Sequence, residues 1–155
     1  MSTHVAPSDF EARSRGEAWH REHDWSRYLA LVGRVLLAAI FVLAVGSHFS
    51  SKAIATATSQ GVPFANVLVP LSGIIATVGG LSVAFGYHAK LGAWLLVLFL
   101  IPVTLTMHRF WGVHDPQMAQ LQQAMFMKNL SILGGALLVA YFGAGPLSVD
   151  ARRKA

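Results

Sequence analysis

The chain of 155 residues contains no cysteine, and that absence removes several mechanisms together. It excludes a disulfide across a loop, a dithiol relay that passes electrons through a CxxC pair, a thiolate metal site and a cysteine nucleophile. Charge is scarce as well. Only 12% of the residues are Asp, Glu, Lys or Arg, and between Tyr28 and Val149 the one acidic residue is Asp115, beside Pro116 in an evident loop. Catalysis by paired carboxylates has no material there. P-loop, GxGxxG, HExxH and GxSxG patterns are missing, as are internal repeats and low-complexity tracts. No catalytic residue and no metal ligand is assigned.

What is present is apolar. Hydrophobic residues make up 54% of the chain and the mean hydropathy is +0.52, too apolar for an ordinary soluble domain of this length. Four segments can cross a hydrocarbon layer about 30 Å thick, which takes roughly 20 helical residues: 28–47, 66–86, 91–107 and 124–143. The expected fold is all-α, an integral membrane four-helix bundle with short interfacial helices in its two outer loops. The "GYHAK" stretch leaves room only for a tight turn, so spans two and three form a hairpin. Residues 1–27 are polar, carry both charge signs and lack the short apolar core of a signal peptide. The chain thus divides into a polar head (1–27), a four-span domain (28–147) and a basic tail (148–155).

Basic residues set the orientation. Arg13, Arg15, Arg21, Arg27, Lys90, Arg152, Arg153 and Lys154 fall on the side of the termini, and only Lys52 and Arg109 on the other. By the positive-inside rule both termini are cytoplasmic and the loops 48–65 and 108–123 face outward. The basic charge therefore needs no nucleic-acid partner, and no basic stripe with interleaved aromatics suggests one. The partner that composition does require is the lipid bilayer.

In the first outer loop Phe49, Ala53, Ile54 and Ala57 keep helical spacing, so a surface helix is expected before Gly61-Val62-Pro63 stops it. In the second, Phe110 and Trp111 suit an interfacial aromatic belt, and Asp115-Pro116 reads as the N-cap and first position of a helix. Between spans, small residues should allow close packing: Gly73, Thr77, Gly80 and Ala84 form one face of span two, and Ser131 and Gly135 repeat the spacing in span four. The same faces could hold a homo-oligomer. Pro102 should kink span three and free a carbonyl for Thr104, Thr106 or a lysine.

Two cations lie within spans, Arg34 near the cytoplasmic end of the first and Lys128 near the outer end of the fourth. Each can snorkel, its stem along the helix and its charge at the headgroups. Alternatively Lys128 turns inward, donates to carbonyls near Pro102 or to His108, and with Asn129 lines a polar pocket under the outer loops. A lone ammonium there would attract a quinone carbonyl or an anionic headgroup. His48 and His108 end spans one and three on the outer side. A bis-imidazole haem between them is geometrically allowed, but hydrogen bonding at the interface asks for no further ligands and is the simpler reading. The candidate ligand-binding residues are Lys128, Asn129, His108, Arg34, His48 and Trp111. Mid-span apolarity disfavours a transporter.

Several pieces together resemble the DoxX family of small bacterial inner-membrane proteins: Gly33-Arg34, Gly61 to Pro63, Gly79-Gly80, His108, Lys128-Asn129, and Gly145-Pro146 with Ser148 and Asp150. The likeness covers about 33–150. Relatives of that family often carry a glutamate just before the glycine pair, where this chain has Ala76. The resemblance implies a multi-pass protein of the bacterial inner membrane acting as a small accessory or anchor subunit for quinone-linked redox chemistry, with a membrane redox partner. It implies no intrinsic cofactor beyond a bound quinone. The alternative is a non-catalytic module that assists assembly or stability of other membrane proteins.

Overall fold

The computed structural model describes the backbone of residues 9–153 and the side chains of residues 25–153. The side chains of the polar head before Trp25, with Arg13, Arg15 and Arg21, and the tail residue Lys154 lie outside the described residues. Six α-helices follow in order: α1 (Asp9–Leu43), α2 (Ser51–Ser59), α3 (Ala65–Phe85), α4 (Ala89–Met107), α5 (Pro116–Phe142) and α6 (Val149–Arg152), with a 3-10 turn at Val45–Phe49 between α1 and α2. Among the described residues there is no strand. Four stretches are long and apolar enough to span a bilayer: Trp25–Phe49, Ala65–Phe85, Ala89–Met107 and Pro116–Phe142. The protein is an all-helical, multi-pass membrane protein.

The helices pack in chain order, α1 on α3, α3 on α4 and α4 on α5, while α1 and α5 touch at few points. Close approach is what small residues supply in a bilayer, where lipid tails compete equally for large apolar side chains. A Cβ on Gly79 would stand 2.9 Å from the Gly92 carbonyl oxygen, so the α3 and α4 backbones meet there. The Gly73–Gly80 face turns to α1 and the 3-10 turn after it: a Cβ on Gly80 would lie 3.1 Å from Phe41 Cβ, and one on Gly73 only 2.5 Å from His48 Cβ. Gly135 faces Leu37. Gly73, Gly79, Gly80 and Gly135 are thus used in packing within the chain. Around them the core holds Phe41, Val83, Leu96, Phe99 and Leu100 with a set of buried alanines. The outward side chains, such as Leu36, Leu43 and Leu138, are exposed and apolar as lipid contact demands.

Two helix starts are capped by side chains, and the second was expected from Asp115-Pro116. Ser50 caps α2 by accepting from Ala53 N–H at 3.2 Å, and Asp115 caps α5 by accepting from Met118 N–H at 2.8 Å, with Pro116 in the first turn. The interfacial helix expected after Asp115 is not separate, however. Nothing between Pro116 and Phe142 breaks the ladder, so it runs unbroken into the fourth span as one 27-residue helix. Pro102 lies inside α4, and Thr106 Oγ1 donates to the Pro102 carbonyl at 2.7 Å.

At the end that holds the α3–α4 turn, the chain ties itself together. Arg34 donates from Nη1 to the Ala144 carbonyl and from Nη2 to the Leu147 carbonyl at 2.8 Å. Asp150 accepts from His88 and Ala89 N–H at 2.8 and 2.9 Å, at the N-terminus of α4, where a carboxylate also meets the positive end of the helix dipole. Its own N–H donates to the Gly86 carbonyl at 2.8 Å. The segment 143–153 is thus a strap across the α3–α4 turn.

Candidate functional site

At the opposite end, α2 folds back over the mouths of α3 and α4 and leaves two cavities beneath it. Their positions follow from local chemistry. Hydroxyls in and beside α2 bond backwards to its carbonyls, Gly61 at φ +81 ends it, and Val62 N–H turns back to the Ala57 carbonyl at 3.0 Å. Arg109, from the α4–α5 loop, donates to the Gln60 carbonyl at 3.0 Å and fastens the C-terminal end of the helix. The fastening leaves Ala57, 2% exposed, pressed toward α3 and α4.

One cavity, of about 430 Å³, is almost wholly apolar and runs between α3 and α4 past Leu68, Ile75, Leu98, Phe99 and Pro102. The other, of about 420 Å³, lies under the first half of α2 and is lined by His48, Lys52, Thr56 and His108. Ala57, Val69, Ser72, Val103 and Met107 line both. The two are lobes of one site divided at a waist, and each is within the size range of ligand sites, about 300–1,000 Å³.

In the polar lobe, His48 Nδ1 lies 3.1 Å from the Ala44 carbonyl. A carbonyl only accepts, so Nδ1 carries the proton and Nε2 is left for another partner. The ring rests on Phe99 at 5.7 Å between centroids and occupies the space that Gly73 leaves open. His108 Nδ1 pairs with Gln122 Oε1 at 2.9 Å. Ser72 Oγ donates to the Val69 carbonyl at 2.8 Å, and Thr56 Oγ1 to the Lys52 carbonyl at 2.9 Å. Their protons are spent within the helices, and their oxygens keep lone pairs as acceptors.

Of the six residues singled out in the sequence, the structure brings His48 and His108 together on one lobe. Trp111 belongs to a neighbouring polar cavity of about 390 Å³ with Gln60, Arg109 and Gln122. It makes edge-to-face contacts with Phe110 at 5.2 Å and Phe126 at 5.9 Å. Arg34 is at the far end and is spent on the strap. Lys128 and Asn129 part company: Lys128 is exposed and lines neither lobe, whereas Asn129 is 6% exposed. Successive helical residues diverge by about 100°, so the pair cannot present both side chains to one pocket. Lysine 128 does not close a pocket with His108; Gln122 holds that imidazole instead. The sequence reading missed Gln122, Lys52 and Thr56. The glutamines at 120, 122 and 123, facing a histidine-bearing loop, were the available signal for the first.

An exposed lysine whose ammonium has no partner among the described residues has little to lose. Lys128→Met is expected to leave stability within about 0.5 kcal/mol of the parent, read from thermal unfolding in detergent. A loss above about 2 kcal/mol would place Lys128 in an interaction that this geometry lacks.

Comparison with known proteins gives the chain relatives. The sequence model of the SURF4 family matches residues 16–155. The ER-derived vesicles protein ERV29 of Saccharomyces cerevisiae is 36% identical over 81 residues, 52% of this chain and 26% of that protein. The Surfeit locus protein 4 homolog of Schizosaccharomyces pombe is 30% identical over 134 residues, 86% of this chain and 40% of that protein. The inner membrane protein YqjF of Escherichia coli is 30% identical over 120 residues, 77% of this chain and 88% of that protein. The chain spans less than half the length of the two fungal relatives. No solved structure matches.

These findings overturn the DoxX resemblance, which rested on short motifs. Glycine pairs, an arginine near a span end and a Gly-Pro close answer demands that any small helical bundle meets in a bilayer. With it falls the reading as an accessory subunit of quinone-linked redox chemistry, together with its quinone and its redox partner, and the assembly-module alternative attached to it. The relatives' names cover ER-derived vesicles and an inner membrane, so a bacterial inner membrane does not follow. What holds is a multi-pass membrane protein.

Proposed function

Because this chain belongs to the SURF4 family, we propose that it is a membrane-embedded receptor that holds a segment of another protein at the end of the bundle carrying α2. The observation that carries this reading is the joined pair of lobes meeting at Ala57, one almost wholly apolar and one that adds Lys52, His48, His108 and hydroxyls to an apolar lining. An apolar side chain can fill the first while polar groups of the same segment are oriented in the second. A relative named for ER-derived vesicles supports a service in choosing proteins for membrane carriers.

In this reading residues 28–147 are the receptor body. The polar head 1–27 and the basic tail 148–155 lie on the cytoplasmic side, where eight of the ten Lys and Arg residues flanking the spans fall. The pocket then faces away from the cytoplasm.

The test is to fill the waist. Ala57→Trp projects an indole into both lobes, whereas Leu36→Trp adds the same bulk to a lipid-facing position that is 70% exposed. Cells making each variant at matched membrane abundance are compared with cells lacking the chain by quantitative proteomics of the exported fraction. A set of proteins lost both without the chain and with Ala57→Trp, and retained with Leu36→Trp, is the expected result. An exported fraction indifferent to the presence of the chain would end the receptor reading.

A further inference from the structure

The polar lobe has an uneven charge balance. Lys52 lines it beside His48 and His108, and among the described residues neither lobe carries a carboxylate. Asp115, the one acidic residue between Tyr28 and Val149, lines neither lobe and is occupied as the cap of α5. The Lys52 ammonium has no hydrogen bond or ion pair among the described residues. A cation and two imidazoles at the edge of a low-dielectric bundle, without a counter-charge, favour an anion.

The acceptors narrow the choice further. The oxygens of Thr56 and Ser72, and also Ser47, whose hydroxyl donates to the Ala44 carbonyl at 2.6 Å, have spent their protons on the helix backbone. They offer lone pairs, which an oxyanion repels and which N–H groups seek. A ligand that satisfies both sets brings an anion and N–H donors together, as an extended peptide with an acidic residue does. The apolar lobe, reached through the waist at Ala57, adds a place for a bulky apolar side chain.

Resting on the receptor reading above, we propose that the polar lobe is a carboxylate-receiving subsite centred on Lys52, and that the client segment is an extended peptide in which an acidic residue lies next to a bulky apolar one. Lys52 sets the charge preference and the lobe beyond Ala57 sets the size of the neighbouring side chain.

The experiment uses the full chain in nanodiscs of phosphatidylcholine, which bears no net charge, and three fluorescent hexapeptides alike except at two adjacent positions: Glu-Leu, Gln-Leu and Glu-Ala. Lys52 is exposed, and the Glu-Leu peptide is expected to bind about fivefold more tightly than either of the others, the upper end for an exposed ion pair and the scale of one buried apolar group. Lys52→Met should erase the preference for Glu over Gln and leave Leu over Ala intact. Lys52→Glu should transfer the preference to a fourth hexapeptide, Lys-Leu, an outcome that misfolding cannot imitate. Ala57→Trp should abolish binding of all three.

If Ala57→Trp abolishes binding while Lys52→Met leaves the Glu preference unchanged, the receptor pocket stands and the carboxylate subsite is wrong. If neither substitution changes peptide binding, both fall. If no peptide binds, and phosphatidylglycerol added to the nanodisc is instead enriched around the parent protein but not around Lys52→Met, the lobe serves a lipid headgroup and the proposal is overturned.

Discussion

Gly92→Leu is expected to prevent assembly of the bundle, while Gly134→Leu is expected to be neutral or slightly stabilising. Both replace a helical glycine in a membrane span, so intrinsic helix preference favours the change in each case, by up to about 1 kcal/mol. The surroundings decide the difference. A Cβ at Gly92 would overlap the Ser82 side chain and stand 3.0 Å from the Gly79 carbonyl oxygen, whereas nothing lies within 4 Å of one at Gly134. The overlap reaches Ser82 Cβ itself, which a change of rotamer does not move, and displacing the hydroxyl would also break its bond to the Tyr87 carbonyl at 2.5 Å. Backbone cannot rotate aside as a side chain does, so α3 and α4 must separate along their contact. Overpacking in a well-filled core costs about 1–3 kcal/mol, and here four side-chain carbons enter where one does not fit. The expected loss is about 3 kcal/mol or more, seen as a fall in the yield of monodisperse protein and in its unfolding temperature. Equal unfolding temperatures for the two variants would show that the helices do not touch at Gly79 and Gly92.

The same contact measures how much was legible in the sequence. The four spans were legible because about 20 predominantly apolar residues with at most one charge admit few other readings. The Gly73–Gly80 face followed from its spacing. Gly92 did not, since one small residue has no periodicity, and its importance comes from meeting Gly79 across the hairpin. The caps at Ser50 and Asp115 were short-range and visible in part, since only the second was named.

The site was less legible. His48 and His108 could be placed at the same end of the bundle by counting spans, but the lobes arise where α2 lies over α3 and α4. That arrangement depends on an arginine at 109 meeting the carbonyl of Gln60, and a carbonyl partner leaves no mark on residue identity. Lys52 was read only for orientation, because its helix looked like a surface element. Lys128 drew too much attention because its rarity within a span was legible and its direction was not. The family was misassigned on motifs that membrane packing produces in many bundles.

Arg34 repeats the lesson at the other end, and its removal is the second large effect. Two opposing terms follow from Arg34→Met. The substitution relieves a buried guanidinium, 3% exposed, whose Nε has no hydrogen-bond partner, and that relief favours the variant. Against it, the Ala144 and Leu147 carbonyls lose their donors. Each stranded group costs about 1–3 kcal/mol where water cannot replace the bond. Asp150, at the same end of the bundle, would also lose a neighbouring cation. Methionine fills the space but donates nothing, so the loss wins, and a net destabilisation of about 2–4 kcal/mol is expected. Arg34→Lys should recover less than half, because one ammonium on a flexible stem does not reproduce two donors set apart on a rigid plane. The signature lies in where the protein loosens. With the strap released, trypsin should cut at Arg152 and Arg153 far faster than in the parent, before the spans unfold. Asp150→Ala should do the same by uncapping α4. The double variant should lose less than the sum of the two, since each alone already frees the strap. Strict additivity, with cleavage at the parent rate in both single variants, would mean that the arginine and the aspartate do not hold one segment between them.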